Sequence, residues 1–132
     1  MIALDANVLI AYCEENHVHA MRALPIIDTE EELAIHPLTL AECAVGPVGA
    51  GQLRGFRQRV ASLGLHVWQP DADHYYRIAT LRATTSLKLP DCCVLDCART
   101  LSATLATFDA HLAEVARSLG VAVDTGETSG EH

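Results

Sequence analysis

Four acidic residues stand where strands end and helices begin, which is where buried chemistry is positioned. Asp5 closes the apolar run Ile2-Ala3-Leu4, Glu42 lies in Leu40-Ala41-Glu42, Asp91 follows Leu89-Pro90, and Asp109 ends Thr107-Phe108-Asp109. Carboxylates gathered at one point raise each other's pKa and repel, so a cluster of them calls for a cation. Mg²⁺ is the natural occupant, with Mn²⁺ as substitute, because hard cations take oxygen ligands and Mg²⁺ keeps several waters. Such a centre hydrolyses phosphodiesters by lowering the pKa of a bound water, aligning it with phosphorus and offsetting charge on the attacking and leaving oxygens. The chain has no Gly-rich phosphate loop, no Gly-x-Ser-x-Gly elbow and no His-Glu-x-x-His to offer a competing chemistry. Taken singly, Asp91 or Asp109 reads as a helix cap or a charge on the macrodipole, and Glu42 as a helix-surface residue. Asp5 is different, since a carboxylate ending a buried strand gains little from capping alone.

Positioning these acids requires strands alternating with helices. Strands are expected at 2–5, 33–36, 65–68, 105–108 and 121–123; helices at 8–12, 18–27, 39–45, 52–63, 71–87, 91–101 and 111–119. The segment Gly46-Pro47-Val48-Gly49-Ala50-Gly51 reads as a loop or hinge by composition. Short apolar strands between helices imply α/β architecture, a parallel sheet covered on both faces by right-handed crossovers. In such sheets the ligand site lies outside the carboxyl ends of the strands, which is where Asp5 falls.

At 132 residues, half of them hydrophobic, the chain is expected to form a single domain over 1–124 with a polar, flexible tail at 125–132. Disorder and a collagen-like or disulfide-stapled build are excluded. Five cysteines are an odd count, and no basic–apolar–small-residue leader opens the chain, so a reducing cytoplasm is the expected location. No apolar run reaches the roughly 18–20 residues of a membrane helix.

The order of the motifs carries more than any one of them. Leu4-Asp5-Ala6-Asn7-Val8-Leu9-Ile10, Leu40-Ala41-Glu42, Lys88-Leu89-Pro90-Asp91-Cys92-Cys93-Val94-Leu95 and Ala106-Thr107-Phe108-Asp109-Ala110-His111-Leu112 resemble the PIN-domain ribonucleases, most closely the VapC toxins of bacterial toxin–antitoxin pairs. The resemblance runs from residue 1 to about residue 123. It implies a three-layer α/β/α sandwich and a Mg²⁺-dependent endoribonuclease that inhibits growth by cutting RNA. It places Asp5, Glu42, Asp91 and Asp109 as the acidic metal-site residues, with Asn7 and Thr107 as polar flankers. It also implies a single-stranded or loop RNA substrate, a homodimer and a cognate antitoxin. Two other functions remain open at this point: a non-cleaving RNA-binding module, and a metal-dependent phosphohydrolase of small molecules, against which the absence of Asp-x-Asp after the first strand counts.

Asp96 is a possible fifth acid. Five residues at about 100° each set it about 140° from Asp91, so it can support the site only indirectly, and a pair with Arg99 is the reading favoured. Cys92, Cys93 and Cys97 share one expected helix and Cys43 follows Glu42; a zinc centre on these thiols stays open, but the spacing matches no paired Cys-x-x-Cys pattern and the favoured reading is small apolar residues. His17, His19 and His74 read as solvated, and His111, two residues past Asp109, as able to meet substrate. Trp68, Tyr75 and Tyr76 read as core or dimer-interface residues.

The net charge of −8 is uneven: −7 over residues 1–50, +3 over 51–100 and −4 over 101–132. Arg54 and Arg57, with Arg59 on the same expected helix, and Arg77, Arg82 and Lys88 leading to Asp91, form the only electrostatic footprint for RNA. A solvated helix face explains Arg54 and Arg57 equally well. Weak, salt-sensitive RNA binding follows from so local a patch.

Overall fold

A computed structural model describes residues 1–127 of the chain. Its strands are β1 (Ile2–Leu4), β2 (Leu33–Ile35), β3 (His66–Val67), β4 (Thr104–Ala106) and β5 (Val123–Asp124). Between them run α1 (Ala6–Cys13), α2 (Ala20–Ile27), α3 (Pro37–Gly49), α4 (Leu53–Ser62), α5 (His74–Thr84), α6 (Leu89–Thr100) and α7 (Ala110–Ser118). The strands pair in the order β3-β2-β1-β4-β5, all parallel. The expected α/β class and three-layer α/β/α sandwich are what the chain forms.

Strand periodicity explains the layers, because successive side chains point to opposite faces. Ile2 and Leu4 join a core built from Val8, Leu9, Ile26 and Phe56, on α1, α2 and α4. Ala3 and Leu105 join the other core, with Leu81, Leu95 and Leu112 on α5, α6 and α7. β1, β2 and β4 are almost wholly buried, as parallel strands covered on both faces must be.

After β1 the chain adds β2 and β3 on one side, then crosses to place β4 on the other. The order therefore reverses between β1 and β4, and the carboxyl ends of those strands flank a crevice where open α/β sheets bind ligands. Register pairs Leu4 with Ala106, so the residues that follow each strand, Asp5 and Thr107, emerge side by side.

Several boundaries differ from expectation. The segment 46–51 is not a loop: α3 continues through Pro47 to Gly49, and the break falls at Ala50–Gln52, where Gly51 takes φ +70°. An internal proline costs a helix one backbone bond. Burial of Cys43 and packing of Leu40 and Ala44 against the α1 core offset that loss, so tertiary contact overrides composition. The helix also starts earlier, at Pro37, whose fixed φ and missing N–H suit a first turn. α5 is shorter than 71–87, and β5 lies two residues later than expected at its start. The region 125–132 was expected to be a tail; Arg22 donates to the Thr125 carbonyl at 2.7 Å, and residues 128–132 lie outside the described residues. Among the described residues no helix is long and apolar enough to cross a membrane.

Candidate active site

Asp5 sits at the switch point with only 8% of its surface exposed. One oxygen, Oδ1, caps α1 by accepting from Ala6 N at 2.8 Å; the other accepts the Thr107 hydroxyl at 2.7 Å. Thr107, fully buried, also accepts from Asp109 N at 3.0 Å, so one hydroxyl links the end of β4 to the end of β1 and to the next acid. Asn7 Oδ1 accepts from Phe108 N at 3.2 Å and holds the same loop against α1. Both flankers thus position acids and backbone.

Asp109 caps α7, its Oδ1 accepting from His111 N at 2.9 Å and Leu112 N at 3.1 Å. The capping role is real, and it engages a single carboxylate oxygen. Asp91 lies half-buried in the first turn of α6, which Leu89 and Pro90 open, and Glu42 is exposed on α3. Helix starts α1, α6 and α7 present positive dipole ends toward carboxylates, an arrangement that favours negative charge there.

The four acids act on one another. Burial pushes the Asp5 carboxyl up, the Thr107 and Ala6 hydrogen bonds pull it back, and the charges of Asp91 and Asp109 raise it further. Glu42 is raised by desolvation and by the charges of Asp5 and Asp91. Asp91 is raised by burial and Asp109, against the lowering effect of Lys88 and His111. These directions show a concentration of negative charge that the fold tolerates at a cost. The donor set is all oxygen, which suits Mg²⁺ or Mn²⁺. Among the described residues no three carboxylates bring their oxygens within 4.8 Å of one another, so the four acids share a region of negative charge and not a closed ligand cage.

Thr107→Val tests this support directly. Loss of the hydroxyl removes a donor to Asp5 and an acceptor for Asp109 N, at a cost of about 1–2 kcal/mol. The Asp5 carboxyl should titrate at higher pH, because the bond lowering its pKa is gone; an unchanged ¹³C titration of Asp5 would contradict the role assigned to Thr107.

The basic residues divide. Lys88 acts on Asp91, and Arg82 on the neighbouring Cys92, so both stand near the acids. Arg54 and Arg57 are exposed on α4 and act on none of the four; Arg54 instead lines a cavity of about 680 Å³ between α1, α3 and α4, with Cys13, Phe56 and Arg59. His111 is drawn into the site's surroundings: its Nε2 lies 2.6 Å from Ser86 Oγ, and its ring acts on Asp91. Ser86 carried no signal in the sequence.

Asp96 is not a partner of Arg99. At 2% exposure it receives Arg77 Nε at 2.8 Å and Nη2 at 3.0 Å and lies 2.7 Å from His74 Nδ1. The helical angle that turned Asp96 away from Asp91 points it into α5, where those partners wait. His74 is accordingly buried, not solvated, 2.9 Å from His36 Nε2. Trp68 belongs to the core, whereas Tyr75 and Tyr76 are about 70% exposed and outside it. Cys43, Cys92, Cys93 and Cys97 are buried and free, and Cys13 is half-buried.

Comparison with known proteins follows this geometry. A family model described as PIN domain matches residues 2–118. No curated protein sequence matches. Among solved structures, the chain is similar to a toxin–antitoxin complex from Klebsiella pneumoniae, at 23% identity and TM-score 0.70 over 83% of this chain and 87% of that one. It is similar also to FitAcB from Neisseria gonorrhoeae, at 21% identity and TM-score 0.73 over 96% and 98%. VapBC2 from Rickettsia felis, described as bound to a DNA fragment from its promoter, matches at 17% identity and TM-score 0.68 over 93% and 97%. Identities this low speak for the fold alone. With the family model spanning β1 to α7 and the four acids at the reversal of strand order, the chain belongs to the PIN domain family.

Proposed function

We propose that this chain is a Mg²⁺-dependent endoribonuclease and the toxin of a toxin–antitoxin pair. The observation that carries the reading is the gathering of Asp5, Glu42, Asp91 and Asp109 around the switch point of a PIN fold, where burial and neighbouring carboxylates raise the pKa of Asp5, Glu42 and Asp91. These four would hold Mg²⁺ or Mn²⁺, directly or through water. When bound, the ion supplies an activated water and neutralises charge on the scissile phosphodiester. The chain's own residues prepare for that step. Thr107 orients Asp5, Asn7 fixes the loop that carries Asp109, and Lys88 offers a cation to the RNA backbone beside Asp91. Arg82 extends that basic edge, while Arg54 and Arg57 on α4 lie too far from the acids' influence to act on the scissile group and would contact flanking RNA.

Residues 1–124 form the catalytic unit, in the cytoplasm. Toxin–antitoxin complexes among the similar structures support a cognate antitoxin, which would insert an Arg or Lys among the carboxylates in competition with the metal, and the toxin itself would pair as a homodimer. Purified chain incubated with RNA and Mg²⁺ should cut it, and chelator should stop the cut. Binding without cleavage would replace this reading with an RNA-binding module.

Metal binding has its own signature. Added Mg²⁺ or Mn²⁺ should raise the Tm, since a ligand at a hundred times its Kd stabilises by about 2.7 kcal/mol. That gain should shrink as pH falls, because Asp5, Glu42 and Asp91 take up protons at higher pH than ordinary carboxylates and protons compete with the cation. Calorimetry of wild type and an Asp91→Asn/Asp109→Asn variant checks it; an equal shift in both would place the ion elsewhere.

A further inference from the structure

A second cluster of ligand-bearing side chains lies apart from the acids. His36 follows β2 and caps α3, His74 opens α5 and Cys93 sits in the second turn of α6. All three are buried, and one ring nitrogen of each histidine and the Cys93 Sγ lie within 4.8 Å of one another, the one such trio among the described residues. The rings of His36 and His74 stand nitrogen to nitrogen at 2.9 Å.

The hydrogen bonds around the trio assign its protons. His36 Nδ1 accepts from Leu38 N at 3.0 Å, so the ring proton of neutral His36 lies on Nε2 and is donated to His74 Nε2. His74 then carries its proton on Nδ1 and donates it to Asp96 Oδ2 at 2.7 Å. Its Nε2 lone pair accepts the His36 proton, so it is open to a ligand only once that proton has moved to His36 Nδ1. A carboxylate behind an imidazole, fixing the tautomer and raising the basicity of the far nitrogen, is the arrangement that supports metal-bound histidines. Cys93 Sγ has no hydrogen-bond partner among the described residues, unlike Cys43 and Cys92, which donate to the Ala6 and Leu87 carbonyls. Trp68 closes the space, its ring 5.8 Å from that of His36 and 5.3 Å from that of His74.

We propose that His36 Nε2, His74 Nε2 and Cys93 Sγ form a buried site for a transition cation of the Zn²⁺ class, distinct from the acidic cluster. Two imidazoles and a thiolate select Zn²⁺ or Co²⁺ over Mg²⁺, which prefers oxygen. Tetrahedral coordination with bonds of about 2.0–2.1 Å to nitrogen and about 2.3 Å to sulfur sets ligand atoms roughly 3.3–3.7 Å apart. The rings therefore need to part by only a few tenths of an ångström. His36 is neutral for the purpose, since burial and the neighbouring His74 push it down to about 4. The Cys93 thiol would release its proton to solvent as the cation binds, because a coordinating thiol is deprotonated. The proton on His36 moves from Nε2 to Nδ1, and the ring gives up the Leu38 cap. One cation then exchanges for one thiol proton, and the site gains a single positive charge.

Occupancy would tie the start of α3 to α5 and α6. Cys93 lies two residues beyond Asp91, and Glu42 is on the helix that His36 caps, so the ion would brace two of the four acids from behind.

The test uses the full chain stripped of metal and titrated with Co²⁺. The expected result, with the acidic centre filled by excess Mg²⁺, is one equivalent of Co²⁺ per chain with a thiolate-to-cobalt charge-transfer absorption, displaced by Zn²⁺. Cys93→Ser should lose that absorption and weaken binding by about tenfold or more, whereas Cys92→Ser and Asp109→Asn should retain both. Absence of the thiolate band in wild type, its survival in Cys93→Ser, or its loss in Asp109→Asn would each overturn the site. Since Asp109→Asn removes the acidic centre and leaves this trio, failure here is separable from failure of the ribonuclease reading.

Discussion

Asp5→Asn and Asp91→Asn should each lower Mg²⁺-dependent RNA cleavage by roughly 10²–10³, the scale on which loss of one preorganised electrostatic group is felt. Asp5→Asn keeps an oxygen to cap α1, yet its amide nitrogen cannot accept the Thr107 hydroxyl while it also offers a donor where a cation needs a ligand. Asp91→Asn removes a negative charge that Glu42 and the other acids feel. The folded state should not suffer for it. Asp91 has a folded pKa above its ordinary value, so its ionised form costs stability at neutral pH, and that stability returns as pH falls through the raised pKa. In chelator at pH 7, Asp91→Asn should therefore melt at or above the wild-type temperature while its cleavage collapses. Variants that cut RNA at the wild-type rate would end the assignment, and variants that lose activity only because they unfold would remove its support. The contrast of higher stability with lower activity is what a charge cluster kept for chemistry predicts.

Asp96→Ala should be the most destabilising single change in the chain, about 3–5 kcal/mol, because truncating one partner of a buried ion pair strands the others. Asp96 receives two bonds from Arg77 and one from His74. Arg77 can turn toward Asp71, its second carboxylate partner at 2.6 and 2.8 Å, so it is partly rescued by the surface. His74 has no such exit, being buried between Trp68 and His36. Asp96→Asn should cost less than Asp96→Ala, since its oxygen still accepts from Arg77 though its amide opposes the His74 N–H. Urea denaturation of the three proteins checks the order. A loss under about 1 kcal/mol for Asp96→Ala would show that the network stabilises little and that Asp96 is free for another purpose.

How much of this was legible beforehand varies by residue. Asp5, Asp91 and Asp109 were legible as candidates because each stands at or just inside a helix start, and a parallel α/β sheet brings such junctions to one edge, whereas Glu42, inside α3, was marked by its place in the order of motifs. Thr107 and Asn7 were legible only through family likeness, since no periodicity distinguishes a bridging hydroxyl from an ordinary one. Pro47 misled, because its local cost was visible and the packing of Cys43 and Leu40 that outweighs it was not. The angular argument for Asp96 was sound as far as it went. It turned the side chain away from Asp91 but could not say what lay on the other side, and the partner chosen from the same helix was displaced by Arg77 and His74 from another.

By itself the sequence determined the class of fold and the parallel sheet, and it marked the four acids as candidates, because these follow from hydrophobic period, helix-start chemistry and order along the chain. Tertiary structure alone decided the strand order that sets Asp5 beside Thr107, the burial of His74, and the meeting of His36, His74 and Cys93 from β2, α5 and α6. Those are contacts between residues tens of positions apart. Local propensity carries no information about them, and only the packing of α5 and α6 across one face of the sheet brings them within a few ångströms.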